Sequence, residues 1–377
     1  MAREIVVVDP SFRARLRELR EERQLSYRAL GALAAYSQTH LWEVETGRRA
    51  PTREFARRLD DVLATGGVLA RLLTVPGSLT LDDDARLAYV AQHPRRVDDA
   101  TIRLLVGMLA DQRVREDSIG STPLIEPVTE QMNQLITLVR EAAGHRRRLI
   151  VDLAAQWAQF AGWLNISAGR PAVAETWLDR AIVWAVESDN QDLTSTALSF
   201  RGHLAWTLGE VGPMVGLTEA AQTITAVYPG EQAYDALQAA RGYAVAGEPT
   251  AVDELVARSR DLEAVTMEYG GEIPPWHYYR DAAFFALERG RVYRYLGAQG
   301  IDGYSRRAVG ELIAGLAALP PGPAHAARYL CDLAVAHAVD GDPSAARDVL
   351  DEVDRTAAAT GDVQLAQTAG RVRQQIC

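Results

Sequence analysis

At five regularly spaced places between residues 162 and 341, a glycine or alanine is followed seven positions later by glycine. The pairs are Gly162 with Gly169, Gly202 with Gly209, Ala240 with Gly247, Gly290 with Gly297, and Ala334 with Gly341. They recur every 40 residues or so, a period at which helical hairpins stack into a solenoid. The small residue lets one helix lie close against its neighbour, and the glycine ends that helix at a turn. One such pair means nothing. Five in register leave few folds other than stacked helix pairs.

In the first unit Ala174 and Ala181 follow where the second helix needs small residues, with Ala221 and Ala346 matching in the second and fifth. This pattern resembles the tetratricopeptide repeat over about residues 98 to 377. The third and fourth units diverge, interrupted by the loop from Gly270 to Pro275. Solenoids of this kind bind along a concave face lined by the first helix of each unit. The position after each small residue then points inward: Trp163, His203, Arg241, Arg291 and Val335. Gln159, four residues before Trp163, shares that face, as do Trp206 and Arg294, three residues after their partners. The expected ligand set is Gln159, Trp163, His203, Trp206, Arg241, Arg291 and Arg294, with the arginines as carboxylate partners. Tyr279 joins it from a second aromatic run, Trp276-His277-Tyr278-Tyr279-Arg280, read as opening a helix. Packing of these aromatics between helices is the competing reading.

Near the amino end, Leu25 to Pro51 reads LSYRALGALAAYSQTHLWEVETGRRAP, two short helices meeting at a tight corner. Ser26 is placed to cap the first, with Leu30, Leu33 and Ala34 as its buried stripe. Gly31 and Ala35 are small where the helices cross. Ser37 caps the second, from Gln38 to Thr46, with Leu41 and Val44 inward and Gly47 ending it. Gln38, Thr39, His40, Trp42 and Glu43 are left outside. Gln and Thr at the exposed start of such a helix can reach base edges in a major groove, and Arg48 and Arg49 just beyond it suit phosphates.

The run Ser37-Gln38-Thr39-His40-Leu41, Val44-Glu45, Gly47-Arg48-Arg49 and Pro51 resembles the helix-turn-helix of lambda-repressor-like (Xre) regulators. The resemblance implies DNA contacts from Tyr27, Arg28, Ser37, Gln38, Thr39, His40, Trp42, Glu43, Arg48 and Arg49, and a structural ion pair between Arg20 and Glu45. Tyr27 stands where the family often has Gln, Ala35 where it has Gly, and Trp42-Glu43 where Ser and a basic residue are common.

Around this hairpin, Ser11 caps a helix with Phe12, Leu16 and Leu19 on one face. Thr52 caps another with Phe55, Leu59, Val62 and Leu63, broken at Gly66-Gly67, and a last short helix covers Val68 to Leu73. Ile5 to Val8 reads as a small pairing strand or a partly ordered tail, and the tail is expected. Residues 1–75 form the DNA-binding unit and 76–97 a linker, in which Asp82-Asp83-Asp84 is charged linker or helix surface and Ala85-Arg86-Leu87 at best weakly helical. Residues 98–377 form the solenoid. A helix runs from Asp98 to about Glu116, another from about Leu124 to Ala143, and His145-Arg146-Arg147-Arg148 is read as a solvated helix start, with phosphate contact as the alternative.

All forty basic residues are arginine. That removes lysine-dependent phosphate loops and Schiff-base chemistry together. Cys331 and Cys377 make no metal spacing and no disulfide framework, and no nucleophile elbow or paired metal-binding histidines occur. No cofactor, metal or catalysis is expected. The net charge of −10 hides an asymmetry: residues 1–75 hold thirteen arginines against ten acids, the remainder 27 against 40. A mildly basic head on an acidic body docks DNA with one end. No apolar run reaches the roughly 20 residues of a membrane span, so a cytoplasmic location is expected.

The fold expected is all-α, a helix-turn-helix bundle followed by a tetratricopeptide-like solenoid. The function expected is a homodimeric, DNA-binding transcriptional regulator that binds a near-palindromic double-stranded operator and responds to a small-molecule or peptide effector. The alternative is a protein-interaction scaffold with a degenerate head.

Overall fold

The computed structural model describes residues 7–8, 11–49, 51–65, 68–71, 73–74, 80–271, 273–319, 326–360 and 363–376. The Gly66-Gly67 break, Pro76-Gly77-Ser78, Cys377 and the side chain of Ser11 lie outside that description. Contacts divide the chain into two units, Met1–Gln112 and Arg113–Cys377.

The first unit begins with β1 (Val7–Val8), followed by α1 (Ser11–Glu22), α2 (Tyr27–Ala34), α3 (Gln38–Glu45), α4 (Arg53–Leu63), α5 (Val68–Arg71) and β2 (Leu73–Thr74). Phe12, Leu16, Leu30, Leu41, Val44, Phe55, Leu59 and Leu69 meet in one fully buried core. Ser26, Ser37 and Thr52 each accept a backbone N–H three residues on, so each of α2, α3 and α4 starts where its cap lies.

Three expectations change here. Leu33 is 57% exposed, because the helix phase that buries Leu30 and Ala34 turns it outward. Val7 and Val8 pair antiparallel with Thr74 and Leu73, so these two residues are a strand rather than a tail, while Ile5 and Val6 lie outside the described residues. Leu81–Gln92 is a true helix, α6. Thr80 and Asp83 form a reciprocal capping box, with Asp83 N–H donating to Thr80 Oγ1 at 3.2 Å and Thr80 N–H to Asp83 Oδ2 at 2.9 Å. Of the two readings of these acids, charged linker or helix surface, the second holds: they are the first turn of α6, where the helix dipole favours them.

Asp98 caps α7 (Asp99–Ile119) by accepting from Thr101 N–H at 2.8 Å. The second unit continues with α8 (Ile125–Glu141) and then α9 (His145–Ser167), α10 (Pro171–Glu187), α11 (Gln191–Leu208), α12 (Val211–Gln222), α13 (Pro229–Ala246), α14 (Pro249–Glu268), α15 (Ala282–Ala298), α16 (Tyr304–Ala318), α17 (Ala326–Val339), α18 (Pro343–Thr360) and α19 (Val363–Ile376). Successive helices from α9 to α18 pack as hairpins, and α9, α11, α13, α15 and α17 lie side by side as neighbours. This is an all-α solenoid.

The small residues mark the crossings within hairpins. A Cβ on Gly162 would lie 2.6 Å from Leu178 of α10, and one on Gly202 would lie 2.7 Å from Thr218 of α12. Ala240 and Ala334 are fully buried. Gly209 and Gly247 cap α11 and α13 at φ 76° and 81°. Gly297 departs from the pattern: it lies inside α15, where a Cβ would strike Ser305, and the left-handed turn falls at Gly300.

The arginines opening α9 are partly solvated, and two of them are also tied to the neighbouring helix. Arg147 pairs with Glu187 at 2.6 Å, and Arg148 donates to the Ser188 carbonyl at 2.7 Å, which ties the start of α9 to the end of α10. Trp276 and its neighbours do not open α15 either. Pro275–His277 is a separate 3-10 turn, and Asp281 caps α15 by accepting from Phe284 N–H at 2.9 Å.

Candidate DNA-reading helix and solenoid cluster

In the first unit α3 is set by its buried side. Leu41, Val44 and Glu45 face the core, and the Glu45 carboxylate is the anchor. Arg20 Nε donates to Oε2 at 2.9 Å and Nη2 to Oε1 at 2.8 Å, while Tyr27 Oη reaches Oε1 at 2.9 Å and Arg17 Nε reaches it at 3.2 Å. Burial pushes the Glu45 carboxyl up, but the hydrogen bonds from Arg20, Tyr27 and Arg17 outweigh it and hold it below the usual value. Tyr27, assigned to DNA from the sequence, therefore spends its hydroxyl indoors, with Arg20 stacked 4.4 Å over its ring. Its phenol is one more hydrogen bond on the anchor.

The outward side of α3 carries Gln38, Thr39 and Trp42, and Arg28 of α2 is also exposed. Ser37 Oγ is engaged as the cap. His40 is half-buried rather than outward: its ring stacks on Phe55 at 5.0 Å and meets Tyr36 edge-on at 5.0 Å. Burial, then Arg49, lower its pKa. Arg48 lies 4.6 Å over the Trp42 ring, and Arg49 pairs with Glu43 at 3.4 Å. The corner residue Ala35 sits at φ 60°, a left-handed conformation that costs a non-glycine residue about 1 kcal/mol.

In the second unit the repeat-register residues converge. His203 meets Trp163 edge-on at 6.0 Å and Trp206 at 5.1 Å. Arg241 lies 4.3 Å over the Trp206 ring and donates from Nη2 to His203 Nδ1 at 3.1 Å. Gln159 is buried in α9. Trp206 Nε1 donates to Tyr295 Oη at 2.8 Å. Arg291 and Arg294, read as open to a ligand carboxylate, already have carboxylates of their own. Arg291 binds Glu288 and Asp332, each at 2.9 Å, and Arg294 binds Asp332 at 2.8 Å. Tyr279 stands apart from the tryptophans, packed edge-on against Tyr278 and Phe284.

The sequence reading passed over four carboxyl groups that organise this interior, Glu231, Asp235 and Glu288 buried and Asp332 partly so. Glu288 accepts from Tyr329 Oη at 2.7 Å, and Asp332 bridges two arginines. Glu231 binds Arg280 and lies 3.1 Å from His277 Nε2. Asp235 accepts from Ser195 Oγ at 2.7 Å. Burial, then the neighbouring Glu231, push the Asp235 carboxyl well above the usual carboxylate range. The available signal was spacing: Glu231 with Asp235, and Glu288 with Arg291, stand one helical turn apart on helices whose other face is apolar. Trp276 closes this end, its Nε1 donating to Thr196 Oγ1 at 3.0 Å. Among the described residues no group of three or more His, Cys, Asp or Glu could hold a metal ion, and no helix is long and apolar enough to cross a membrane.

A family model described as a helix-turn-helix domain matches residues 11–73. The first unit therefore carries a helix-turn-helix domain, the kind of unit with which DNA-binding regulators dock their operators. No curated protein sequence matches the chain. Among solved structures, the crystal structure of BtubC (BKLC) from P. vanneervenii is similar over 64% of this chain and 92% of its own, at 17% identity and a TM-score of 0.39. At that level the likeness carries no argument.

Proposed function

We propose that this protein is a sequence-specific transcriptional regulator of the lambda-repressor-like (Xre) type. It works as a homodimer in the cytoplasm, without catalysis, and its tetratricopeptide-like solenoid binds a small-molecule or peptide effector. One observation carries the reading: Gln38 and Thr39 stand exposed at the capped start of α3, inside the matched helix-turn-helix domain, while the buried Glu45 fixes that helix from behind. Side chains so placed reach base edges, and rigidity behind them keeps the register. Arg28 and Arg48 flank the reading residues for phosphates. Effector binding shifts the population between two solenoid conformations, and the segment after residue 75 passes the shift to the heads.

A scaffold with a degenerate head is the second reading. Arg48 and Arg49 favour it, since one is stacked on Trp42 and the other paired with Glu43. Selection from a random-sequence DNA library at low and near-physiological salt separates the two. Enrichment of one motif with two related halves at the higher salt supports the regulator. Retention only at low salt and without a motif sinks it. The double variant Gln38→Ala, Thr39→Ala should abolish the enrichment and leave capture of protein partners untouched.

A further inference from the structure

The inner face of the solenoid has a charge imbalance at one residue. Arg241 is 1% exposed and gives its Nη2 hydrogen to His203 Nδ1 at 3.1 Å. A guanidinium is always a donor, so Nδ1 is the acceptor and the imidazole proton stands on Nε2. His203 is thus a neutral ring with a fixed tautomer and a donor on its far side. Burial, then Arg241, Arg291 and Arg328, all drive its pKa down, with no carboxylate acting the other way. The potential at His203 is positive.

Counting the neighbours locates the excess. Glu288 accepts from Arg291 and Tyr329, and Asp332 accepts from Arg291 and lies 2.8 Å from Arg294. Leaving aside the solvent-exposed Arg328, three guanidiniums share two carboxylates, and Arg241 is the one without a hydrogen-bonded carboxylate. Its closest carboxylate, Glu288, is 3.8 Å away, and its Nε and Nη1 make no hydrogen bond among the described residues. A buried charge without a hydrogen-bonded counter-ion is costly, and Arg241 lies beside His203 and Trp206, which like Trp163 are half-buried rather than sealed from solvent. One surplus positive charge suits a monoanion better than a phosphate dianion. Around it the aromatic rings supply apolar surface: Trp163 meets Phe200 and His203 edge-on, and Trp206 lies against His203 with Arg241 over one face.

We propose that the effector carries a carboxylate, held by Arg241 and the Nε2–H of His203, and an apolar body that lies against Trp163 and Trp206. This rests on the reading that the solenoid binds an effector, and it says what that effector must contain. Such a carboxylate belongs either to a small free acid or to the C-terminus of a short peptide.

The test uses the full-length protein without DNA, so its outcome is independent of operator selection. Tryptophan fluorescence is followed on titration with 4-phenylbutyrate against the isosteric 4-phenylbutyramide. The same is done with random hexapeptide pools bearing free or amidated C-termini. The expected result is an acid preference of about tenfold or more, the scale of a charge-assisted hydrogen bond, in one pair of probes. Whichever pair shows it names the source. The preference should vanish in Arg241→Met, whose melting temperature should equal or exceed that of the wild type because the surplus charge is gone, and persist in part in Arg241→Lys. Equal binding of acid and amide in both pairs overturns the proposal. So does an absence of binding by every probe at millimolar concentration, or a preference that survives in Arg241→Met. The acid–amide comparison on the wild type stands even if a variant fails to fold. A selected operator motif alongside any of these negative results would keep the regulator and discard the carboxylate.

Discussion

Arg20 and Glu45 are joined by two parallel hydrogen bonds across 25 residues of sequence, Nε to Oε2 at 2.9 Å and Nη2 to Oε1 at 2.8 Å. The Glu45 side chain is 1% exposed, so the pair is a buried fork that locks the reading helix to α1. Glu45→Gln should destabilise the first unit by about 3 kcal/mol at pH 7, the usual cost of breaking a buried pair from one side. Because the Glu45 pKa is depressed on folding, its contribution is present above the unfolded value of about 4.3 and is lost as pH falls through the folded one. Melting curves of wild type and variant should therefore converge in acid. A gap as wide at pH 3 as at pH 7 would contradict the pair's role.

Glu43 holds Arg49 away from any phosphate at 3.4 Å. Glu43→Gln should release that arginine, tighten DNA binding at low salt, and steepen the dependence of log affinity on log salt by about one. By contrast, Gln38→Ala should cost about 1–3 kcal/mol on the selected operator and leave the salt slope unchanged. Fluorescence anisotropy at three salt concentrations distinguishes the two behaviours.

Tyr278 Oη donates to Asp117 Oδ2 at 2.8 Å. Burial pushes the Asp117 carboxyl up to about 6, against the opposing pull of that hydrogen bond. A raised carboxyl pKa favours the folded state below the unfolded value near 3.9, and that advantage is lost as pH rises through 6. Asp117→Asn, which keeps an acceptor and loses the charge, should gain melting temperature relative to wild type between pH 4 and pH 7. A pH-independent difference between the two would rule out this titration.

Two glycines of the solenoid should respond oppositely to alanine. A Cβ on Gly162 would press on Leu178 at 2.6 Å, whereas Gly216, inside α12, has nothing within 4 Å. Gly162→Ala should cost about 1–3 kcal/mol through overpacking, and Gly216→Ala should add about 0.5–1 kcal/mol by restricting the unfolded chain. Urea unfolding midpoints measure both.

Periodicity made the helices legible, because caps and small residues act within one or two turns of chain. Ser26, Ser37 and Thr52 announce their helices, and the glycine register announces the solenoid's hairpins. A local signal can also leave two readings open: Asp82 to Asp84 suit charged linker or helix surface alike, and the Thr80–Asp83 capping box makes them a helix start. Helical phase also carried His203, Trp206 and Arg241 onto one face, since residues a turn apart share it on any helix.

Phase alone did not say who pairs with whom across helices. Tyr27 turns to Glu45, His40 tucks onto Phe55, and Asp332, 41 residues from Arg291, takes up that arginine. Those choices are made by desolvation, which forces each buried polar group to find whichever partner the packing brings within reach. The sequence by itself determined which segments are helical and where most of them stop. Only the tertiary structure decided which of forty arginines would be buried without a bonded carboxylate, because that depends on distances between helices far apart in the chain.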